Sequence, residues 1–201
     1  GNIEAAQMQL EHMLDCLGPW IEAGAWVVGV EPSCLLTMRD ELLSMRLSEH
    51  HRSLASLLAT RALLLEEYLE QELQAGRLSL HFQALEGQRA WLHGHCHQKA
   101  FDALSPAVRL LGRIPGLQTQ VIQASCCGMA GAFGYDVETL KHAMAMAEAN
   151  LLPAVREAKS QDWIVADGTS CRHQILDGSQ RKAVHVASVL AFNLGLRPAL
   201  A

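Results

Sequence analysis

Six cysteines are the residues of this 201-residue chain whose type and spacing could do chemistry. Adjacent cysteines cannot easily form a disulfide with each other, because closing that ring strains the peptide between them. Both can ligate a metal centre, so an adjacent pair indicates metal binding. Cys16 lies in a helical pattern and is predicted to be a core residue. The other five lie in segments typical of loops: Cys34, Cys96, Cys126, Cys127 and Cys171.

Four of these thiolates form the predicted ligand set, and four is the usual number for an iron–sulfur cluster. A glycine after the adjacent pair would let the backbone approach such a cluster closely. Four sulfurs would also satisfy a tetrahedral zinc site, although zinc ligands usually come as C-x2-C pairs, which this sequence does not contain. The four predicted ligands are Cys96, Cys126, Cys127 and Cys171, with Gly128 after the pair.

Three histidines near these cysteines are substitute ligands, and each is alternatively an ordinary loop or core residue. Two other chemistries stay open. One is nucleophilic catalysis by Cys96 with a neighbouring histidine as the base. The other is a redox dithiol, which would prefer a C-x-x-C motif. The three histidines are His95, His97 and His173.

Strands that alternate with helices predict an α/β fold, with a parallel sheet and helices on both faces. The predicted strands cover residues 26–30, 90–93, 121–122, 163–166 and 184–186, and the predicted helices include 3–17, 35–47, 54–73 and 136–159. Gly18-Pro19 should end the first helix, and Pro153 should kink or split the last. Ligand sites in such sheets lie outside the carboxyl ends of the strands. The five loop cysteines are therefore predicted at one edge of one sheet.

An internal match suggests a duplicated unit. Residues 26–34 align with residues 163–171, and both segments start with tryptophan and end in Ser-Cys. A true duplication predicts the tail of a first cysteine-rich repeat at 1–48, a helical connector at 49–88 and a complete second repeat at 89–201. Chance similarity between two buried strands is the alternative. On the connector, Glu66, Glu67 and Glu70 are predicted to form a solvated face.

The cysteine motifs resemble those of the cysteine-rich CCG domain family. The matching segments are EPSC at residues 31–34, HCH at 95–97, CCGMAG at 126–131 and SCRHQ at 170–174. That family includes iron–sulfur subunits of glycolate oxidase and anaerobic glycerol-3-phosphate dehydrogenase, and a cysteine-rich subunit of heterodisulfide reductase. Heterodisulfide reductase ends each unit in C-x-x-C, whereas this chain has Thr37 and Gln174 at those positions. The resemblance is strongest to the C-terminal part of FAD-linked D-2-hydroxyacid dehydrogenases of the D-lactate or D-2-hydroxyglutarate type.

This resemblance implies an electron-transfer module that carries an iron–sulfur cluster of the 4Fe-4S type. It would pass electrons from a flavin, reduced by a D-2-hydroxyacid, to a quinone or another acceptor. Cys34 would serve the cluster of the first repeat. FAD and ferredoxin-like domains would lie upstream or in other subunits, and the 201 residues alone would be inactive as a dehydrogenase.

The composition excludes other classes of protein. The chain has 16 basic and 21 acidic residues and a net charge of −5, which argues against nucleic-acid binding. Half of its residues are hydrophobic, so the chain is not a disordered one. The sequence shows neither an apolar stretch of about 18 residues nor a signal peptide. These features predict a cytoplasmic location, or a peripheral one at the inner membrane through partners.

Overall fold

The computed structural model describes residues 2–196 and divides into two compact units between Leu65 and Glu66. The first unit contains a parallel pair of strands and three helices. Val27 of the first strand lies opposite Ala62 of the second, and Gly29 lies opposite Leu64. Its elements are α1 (Ile3–Glu22), β1 (Val27–Gly29), α2 (Pro32–Leu36), α3 (Glu49–Arg61) and β2 (Ala62–Leu64), with 3-10 turns at Thr37–Arg39 and Glu41–Ser44.

Three predictions for this unit are wrong. The predicted helix over residues 35–47 is reduced to the end of α2 at Leu36 and two 3-10 turns. Helix α1 continues through Gly18 and Pro19 to Glu22, because it packs against α3 at this point. A Cβ atom at Gly18 would lie 3.2 Å from the side chain of Leu54, so glycine allows the close approach. The predicted helix over residues 54–73 is broken by β2, whose pairing with β1 overrides the helical propensity of the local sequence.

The second unit contains a three-stranded parallel sheet in the order β4-β3-β5. Its strands are β3 (Arg89–His93), β4 (Gln118–Val121) and β5 (Trp163–Ala166). Its helices are α4 (Leu65–Gln74), which crosses the division, α5 (Cys96–Ala100), α6 (Ser105–Leu111), α7 (Leu140–Glu157), α8 (Thr169–Ser179) and α9 (Val186–Asn193). The predicted fifth strand is reduced to one parallel bridge between Val184 and Val165, because His185 already caps α9. The predicted solvated face on α4 is wrong, because this helix buries Glu66 and Glu70.

The sheet of the second unit is covered by helices on both faces. Trp91 and Ile164 belong to a core cluster that includes residues of α7 and α8. Leu92 and Val165, which alternate with them along the strands, belong to a cluster with residues of α6 and α9. This alternation is the period-two pattern of strands that are buried on both sides. The predicted α/β fold with parallel strands is therefore confirmed, whereas the single sheet is wrong, since Cys34 follows a strand of the other sheet.

Helix α7 also differs from its prediction. It begins at Leu140 rather than after Asp136, which instead forms a turn by accepting the N–H of Glu138 and of Leu140. It runs without a break through Pro153. Its burial against the sheet, with Leu151 and other side chains inaccessible to solvent, holds the helix together across the missing hydrogen bond.

The two aligned segments have the same order of elements. Residues 26–34 lie in β1 and α2 and follow helix α1, and residues 163–171 lie in β5 and α8 and follow helix α7. Val28 lies opposite Leu63 in β2, and the aligned Val165 lies opposite Val184. The domain boundaries at 48 and 88 stay predictions.

Candidate metal centre

A buried group of two thiols and one imidazole lies at the carboxyl edge of the three-stranded sheet. The Sγ atoms of Cys127 and Cys171 are 3.3 Å apart, and each of these residues and His93 offers a ligand atom within 4.8 Å of the others. His93 ends β3, Cys171 lies in the first turn of α8 after β5, and Cys127 follows β4. All three are at most 5% exposed. This edge is where parallel α/β sheets place their ligands.

The loop that carries the adjacent cysteines depends on Gly128. This glycine has φ +91°, and a Cβ there would lie 2.2 Å from the carbonyl oxygen of Ala143 in α7. Its N–H donates to the Sγ atom of Cys126 at 3.2 Å. The predicted role of Gly128 in a close backbone approach agrees with this geometry, although the approached group is α7 itself.

Cys96 lies at the exposed side of the same edge, at the start of α5. The N–H of His95 donates to Gln98 Oε1 at 2.9 Å, and His95 Nδ1 accepts the N–H of His97 at 3.2 Å. This reciprocal capping fixes the turn that presents Cys96. Gly168 permits the turn to approach α8, because a Cβ there would lie 2.4 Å from the His95 ring and 3.3 Å from Cys171 Sγ.

The thiols of this edge influence one another electrostatically. The Cys171 S–H donates to Cys127, which lowers the pKa of Cys127 to about 4, and His93 lowers it further against the effect of burial. The same hydrogen bond, together with burial, raises the pKa of Cys171. Desolvation and the charge of Cys126 raise the pKa of Cys96. Cys127 and Cys171 therefore favour one thiolate and one thiol when no metal ion is bound.

Lys99 is a cation that acts on all four thiols of this edge. Burial lowers the pKa of Lys99, and the negative charges of the four thiolates oppose that change. Its Nζ donates to the carbonyl oxygens of Ala124 and Ser125, which immediately precede the adjacent cysteines. Lys99 thus both holds the loop and offsets thiolate charge. Arg172, the residue after Cys171, donates to the carbonyl oxygens of Ala166 and Asp167 at the end of β5.

The residue that sequence reasoning missed is His93. Its Nδ1 is buried and has no hydrogen-bond partner among the described residues, which suits a ligand. The missed signal is its position as the last residue of a buried strand, two residues before His95. Of the predicted substitutes, His97 also has a buried, unpaired Nδ1 within the described part of the chain, whereas the exposed His173 pairs with the hydroxyl of Tyr135 at 2.7 Å.

Two cysteines lie apart from this group. Cys34 lies in the first unit, in the first turn of α2, and lines a cavity of about 260 Å³ with residues of β1. Cys16 is exposed on α1, with its Sγ 3.8 Å from His12 Nε2, so its predicted place in the core is wrong.

The donor set fits a metal or cluster that prefers soft ligands. Two thiols and an imidazole converge in a dry place, one imidazole nitrogen has no partner among residues 2–196, and two more thiols continue the edge toward solvent. Such sulfur and nitrogen donors suit zinc and iron–sulfur centres.

Comparison with known proteins relates the chain to dehydrogenases. It is 28% identical over 184 residues to D-2-hydroxyglutarate dehydrogenase of Haemophilus influenzae, a match that covers 87% of this chain and 17% of that protein. It is 27% identical over 164 residues to D-2-hydroxyglutarate dehydrogenase of Pantoea ananatis, which covers 80% of this chain and 15% of the relative. A subunit of the anaerobic glycerol-3-phosphate dehydrogenase of Escherichia coli K12 is 30% identical over 99 residues, or 49% of this chain and 24% of that subunit.

The chain is thus similar to part of larger oxidoreductases, since it spans between 15% and 24% of the length of these relatives. No family model matches the chain, so membership of the cysteine-rich CCG family stays a prediction. No helix within residues 2–196 has the length and apolarity that crossing a bilayer requires.

Proposed function

We propose that this chain is an iron–sulfur electron-transfer domain of a larger FAD-linked oxidoreductase. The observation that carries the proposal is the convergence of Cys127, Cys171 and His93 at a sheet edge, with Cys96 and Cys126 beside them. The similarity to D-2-hydroxyglutarate dehydrogenases supports a D-2-hydroxyacid as the substrate of the whole protein. An iron–sulfur cluster supplies one-electron transfer between a flavin and an acceptor.

The protein groups have distinct parts in this proposal. Cys127 and Cys171 hold the centre from the buried side, where exclusion of water favours charged thiolates that are neutralised by metal. Cys96 and Cys126 ligate from the accessible side, and Lys99 offsets their charge. A centre that is buried on one side and accessible on the other suits exchange of electrons with a partner.

A cleft of about 480 Å³ beside Lys99 supports a site for the acceptor. Its apolar wall comes from Leu104, Val108 and Val121. Asp102 and Arg109 also line it, and the Arg109 side chain is paired with Glu70 at 3.2 Å. Apolar walls with a few polar groups are typical of small-molecule sites. We assign this cleft to a quinone or another flat acceptor. The FAD and ferredoxin-like parts would be supplied by upstream domains or by other subunits, and the assembly would be cytoplasmic or peripheral at the inner membrane.

Anaerobic reconstitution with iron and sulfide tests the proposal. The protein should take up iron and acid-labile sulfide together and gain broad visible absorbance. Cys127→Ser should lose both, because it removes a buried ligand, whereas Cys16→Ser should behave as the unchanged protein, since Cys16 lies on the exposed side of α1. Absorbance that is equal in the two variants would refute this ligand set.

A zinc-binding structural domain without a redox role is the second candidate. The compact group of two thiols and one imidazole favours it, because mixed cysteine and histidine ligands are typical of structural zinc sites. Stoichiometric zinc that resists replacement by iron, and that raises the midpoint of thermal unfolding, would support this candidate.

The isolated chain should not oxidise D-2-hydroxyacids. Assays of D-lactate and D-2-hydroxyglutarate with a dye acceptor should show no turnover, because the proposed flavin part is not included in these residues. Turnover by the purified 201-residue protein would contradict the proposal that a separate flavin domain or subunit oxidises the hydroxyacid.

A further inference from the structure

Cys127 and Cys171 lie close enough to react with each other. Their Sγ atoms are 3.3 Å apart, and the Cys171 S–H donates to the Cys127 sulfur. A disulfide holds its two sulfurs about 2.05 Å apart, so formation of the bond requires an approach of only about 1.3 Å. The two residues are 44 positions apart in the chain, so the ring that they would close is free of the strain expected for adjacent cysteines.

The neighbouring cysteines are placed less well for this reaction. Cys126 cannot easily pair with Cys127, because the two are adjacent. Cys96 lies on the exposed side of the edge, with its Sγ atom 3.9 Å from His95 Nδ1. The sequence contains no C-x-x-C motif, which a redox dithiol would prefer, but the tertiary structure brings together two cysteines that the sequence separates. The geometry therefore favours one dithiol, Cys127 with Cys171.

The pair is buried and held in place, which restricts the oxidants that reach it. Both cysteines belong to the core cluster that the sheet forms with α7 and α8, and they are 5% and 1% exposed. A side chain at Gly128 would overlap α7, and a Cβ at Gly168 would lie 3.3 Å from the Cys171 sulfur. The two sulfurs are therefore neighbours before any reaction, rather than groups that must meet by diffusion. A small oxidant such as hydrogen peroxide suits this place, whereas a bulky one such as glutathione disulfide does not.

We propose that Cys127 and Cys171 form a redox-active dithiol, which a peroxide converts to a disulfide and a thiol reductant restores. In the first step, the Cys127 thiolate attacks one oxygen of the peroxide, which gives a sulfenic acid and releases hydroxide. The Cys171 sulfur then attacks the Cys127 sulfur, so that the S–S bond forms and the S–O bond breaks. The leaving oxygen departs as water with the thiol proton of Cys171. The two sulfurs together lose two electrons, and the peroxide gains them.

The disulfide controls the capacity of this sheet edge to bind metal. Metals bind thiolates, so one disulfide removes both buried sulfur ligands in a single step. The bond is reversed by thiols, whereas oxidation of a lone cysteine to the sulfinic acid is not. The control of metal binding rests on the function proposed above, but formation of the disulfide does not.

Peptide mapping after peroxide treatment tests the proposal. The reduced protein, freed of metal by a chelator and then of reductant, receives equimolar hydrogen peroxide, and the remaining thiols are alkylated. Trypsin should release residues 114–141 linked to residues 160–172, a species that dithiothreitol separates. Cys126→Ser should keep this link and Cys127→Ser should lose it, which distinguishes the two adjacent cysteines. Cys171→Ser should lose the link and leave Cys127 as a sulfenic acid that dimedone traps.

Stability and metal binding provide two further readouts. The disulfide would join residues 44 positions apart and so restrict the unfolded chain, which should raise the urea midpoint of the oxidised protein above that of the reduced protein. Peroxide should not raise the midpoint of Cys171→Ser. Zn²⁺, a probe without redox chemistry of its own, should bind the oxidised protein more weakly than the reduced protein. Equal Zn²⁺ affinity in the two forms would overturn the control of metal binding.

Three mapping results would overturn the dithiol itself. These are no linked peptide from the folded, unchanged protein, a link that persists in Cys127→Ser, or sulfinic acid at Cys127 as the main product. If Cys127→Ser does not fold by circular dichroism, the link in Cys126→Ser decides, and its loss overturns the proposal. Because the mapping uses protein without bound metal, failure of the iron–sulfur reconstitution leaves the dithiol standing, and absence of the disulfide leaves the proposed function standing.

Discussion

Replacement of Gly128 by alanine should destabilise the protein much more than the same replacement of Gly131. Both glycines have positive φ, +91° and +67°, so an alanine at either position costs about 1–2 kcal/mol of backbone strain. A Cβ at Gly131 would meet no atom within 4 Å among the described residues, whereas one at Gly128 would lie 2.2 Å from Ala143 O. That overlap with backbone adds about 1–3 kcal/mol, as for other overpacked sites.

The expected free-energy losses are therefore about 2–5 kcal/mol for Gly128→Ala and about 1–2 kcal/mol for Gly131→Ala. The larger loss is a substantial part of the stability of a typical domain, about 5–15 kcal/mol. It should also weaken metal uptake, because the loop must move away from α7. The same Ala143 oxygen accepts from Gln174 at 3.1 Å, and the Gly128 N–H donates to Cys126.

Urea unfolding of the two metal-free variants, followed by circular dichroism, measures the difference. Metal uptake under the conditions used for reconstitution provides a second readout. Equal midpoints for the two variants would show that the loop lies farther from α7 than the structure places it. The reasoning about Gly128 would then be refuted, although the strain at positive φ would stand.

Three further predictions concern buried groups. Asp162→Asn should lower the free energy of unfolding at neutral pH by about 1–3 kcal/mol. Burial raises the pKa of Asp162, but hydrogen bonds from Trp91 and two backbone N–H groups outweigh it and lower that pKa. Because a lowered pKa gives stability that is lost as pH falls, the urea midpoints of the two proteins should converge below about pH 4. In EDTA, the stability of the unchanged protein relative to Glu66→Gln should fall as pH rises from 4.5 to about 8, by up to ~1.4 kcal/mol per pH unit, because folding raises the pKa of Glu66. Leu151→Ala in α7 should lower the free energy of unfolding by about 2–5 kcal/mol. Leu176→Ala should lower it much less, because the Leu176 side chain is 42% exposed. Calorimetry that ranks the two variants in the opposite order would contradict the assigned core.

The sequence predicts the second unit better than the first. The strands that contain Trp91 and Ile164 are short apolar runs before cysteine-containing loops. The sequence therefore predicts both these strands and the edge of the sheet at which the cysteines lie. The sequence does not predict the continuation of α1 through Gly18 or the strand β2, because each depends on packing against a segment distant in sequence. Periodicity within one segment carries no information about such partners.

The buried polar groups show the same limit. Cys127 is conspicuous because adjacent cysteines are unusual, whereas His93 and Glu66 are ordinary residues of a strand and a helix. Their importance follows from burial: His93 and Glu66 each have a buried polar atom without a partner among the described residues. A charged helix position is usually exposed, so only the tertiary structure shows that Glu66 faces inward.

Trp91 belongs to the same core cluster as Cys127 and Cys171, and its indole N–H is fixed by Asp162 at 3.1 Å. An indole in the same core cluster as the thiol pair is a built-in optical reporter. A coloured centre at that pair would accept excitation energy from Trp91 and dim its fluorescence, whereas a colourless ion would leave the emission nearly unchanged. The chain has four tryptophans, so the part of the emission that Trp91→Phe removes would tell the two kinds of occupant apart in solution, without a label and without removing any ligand.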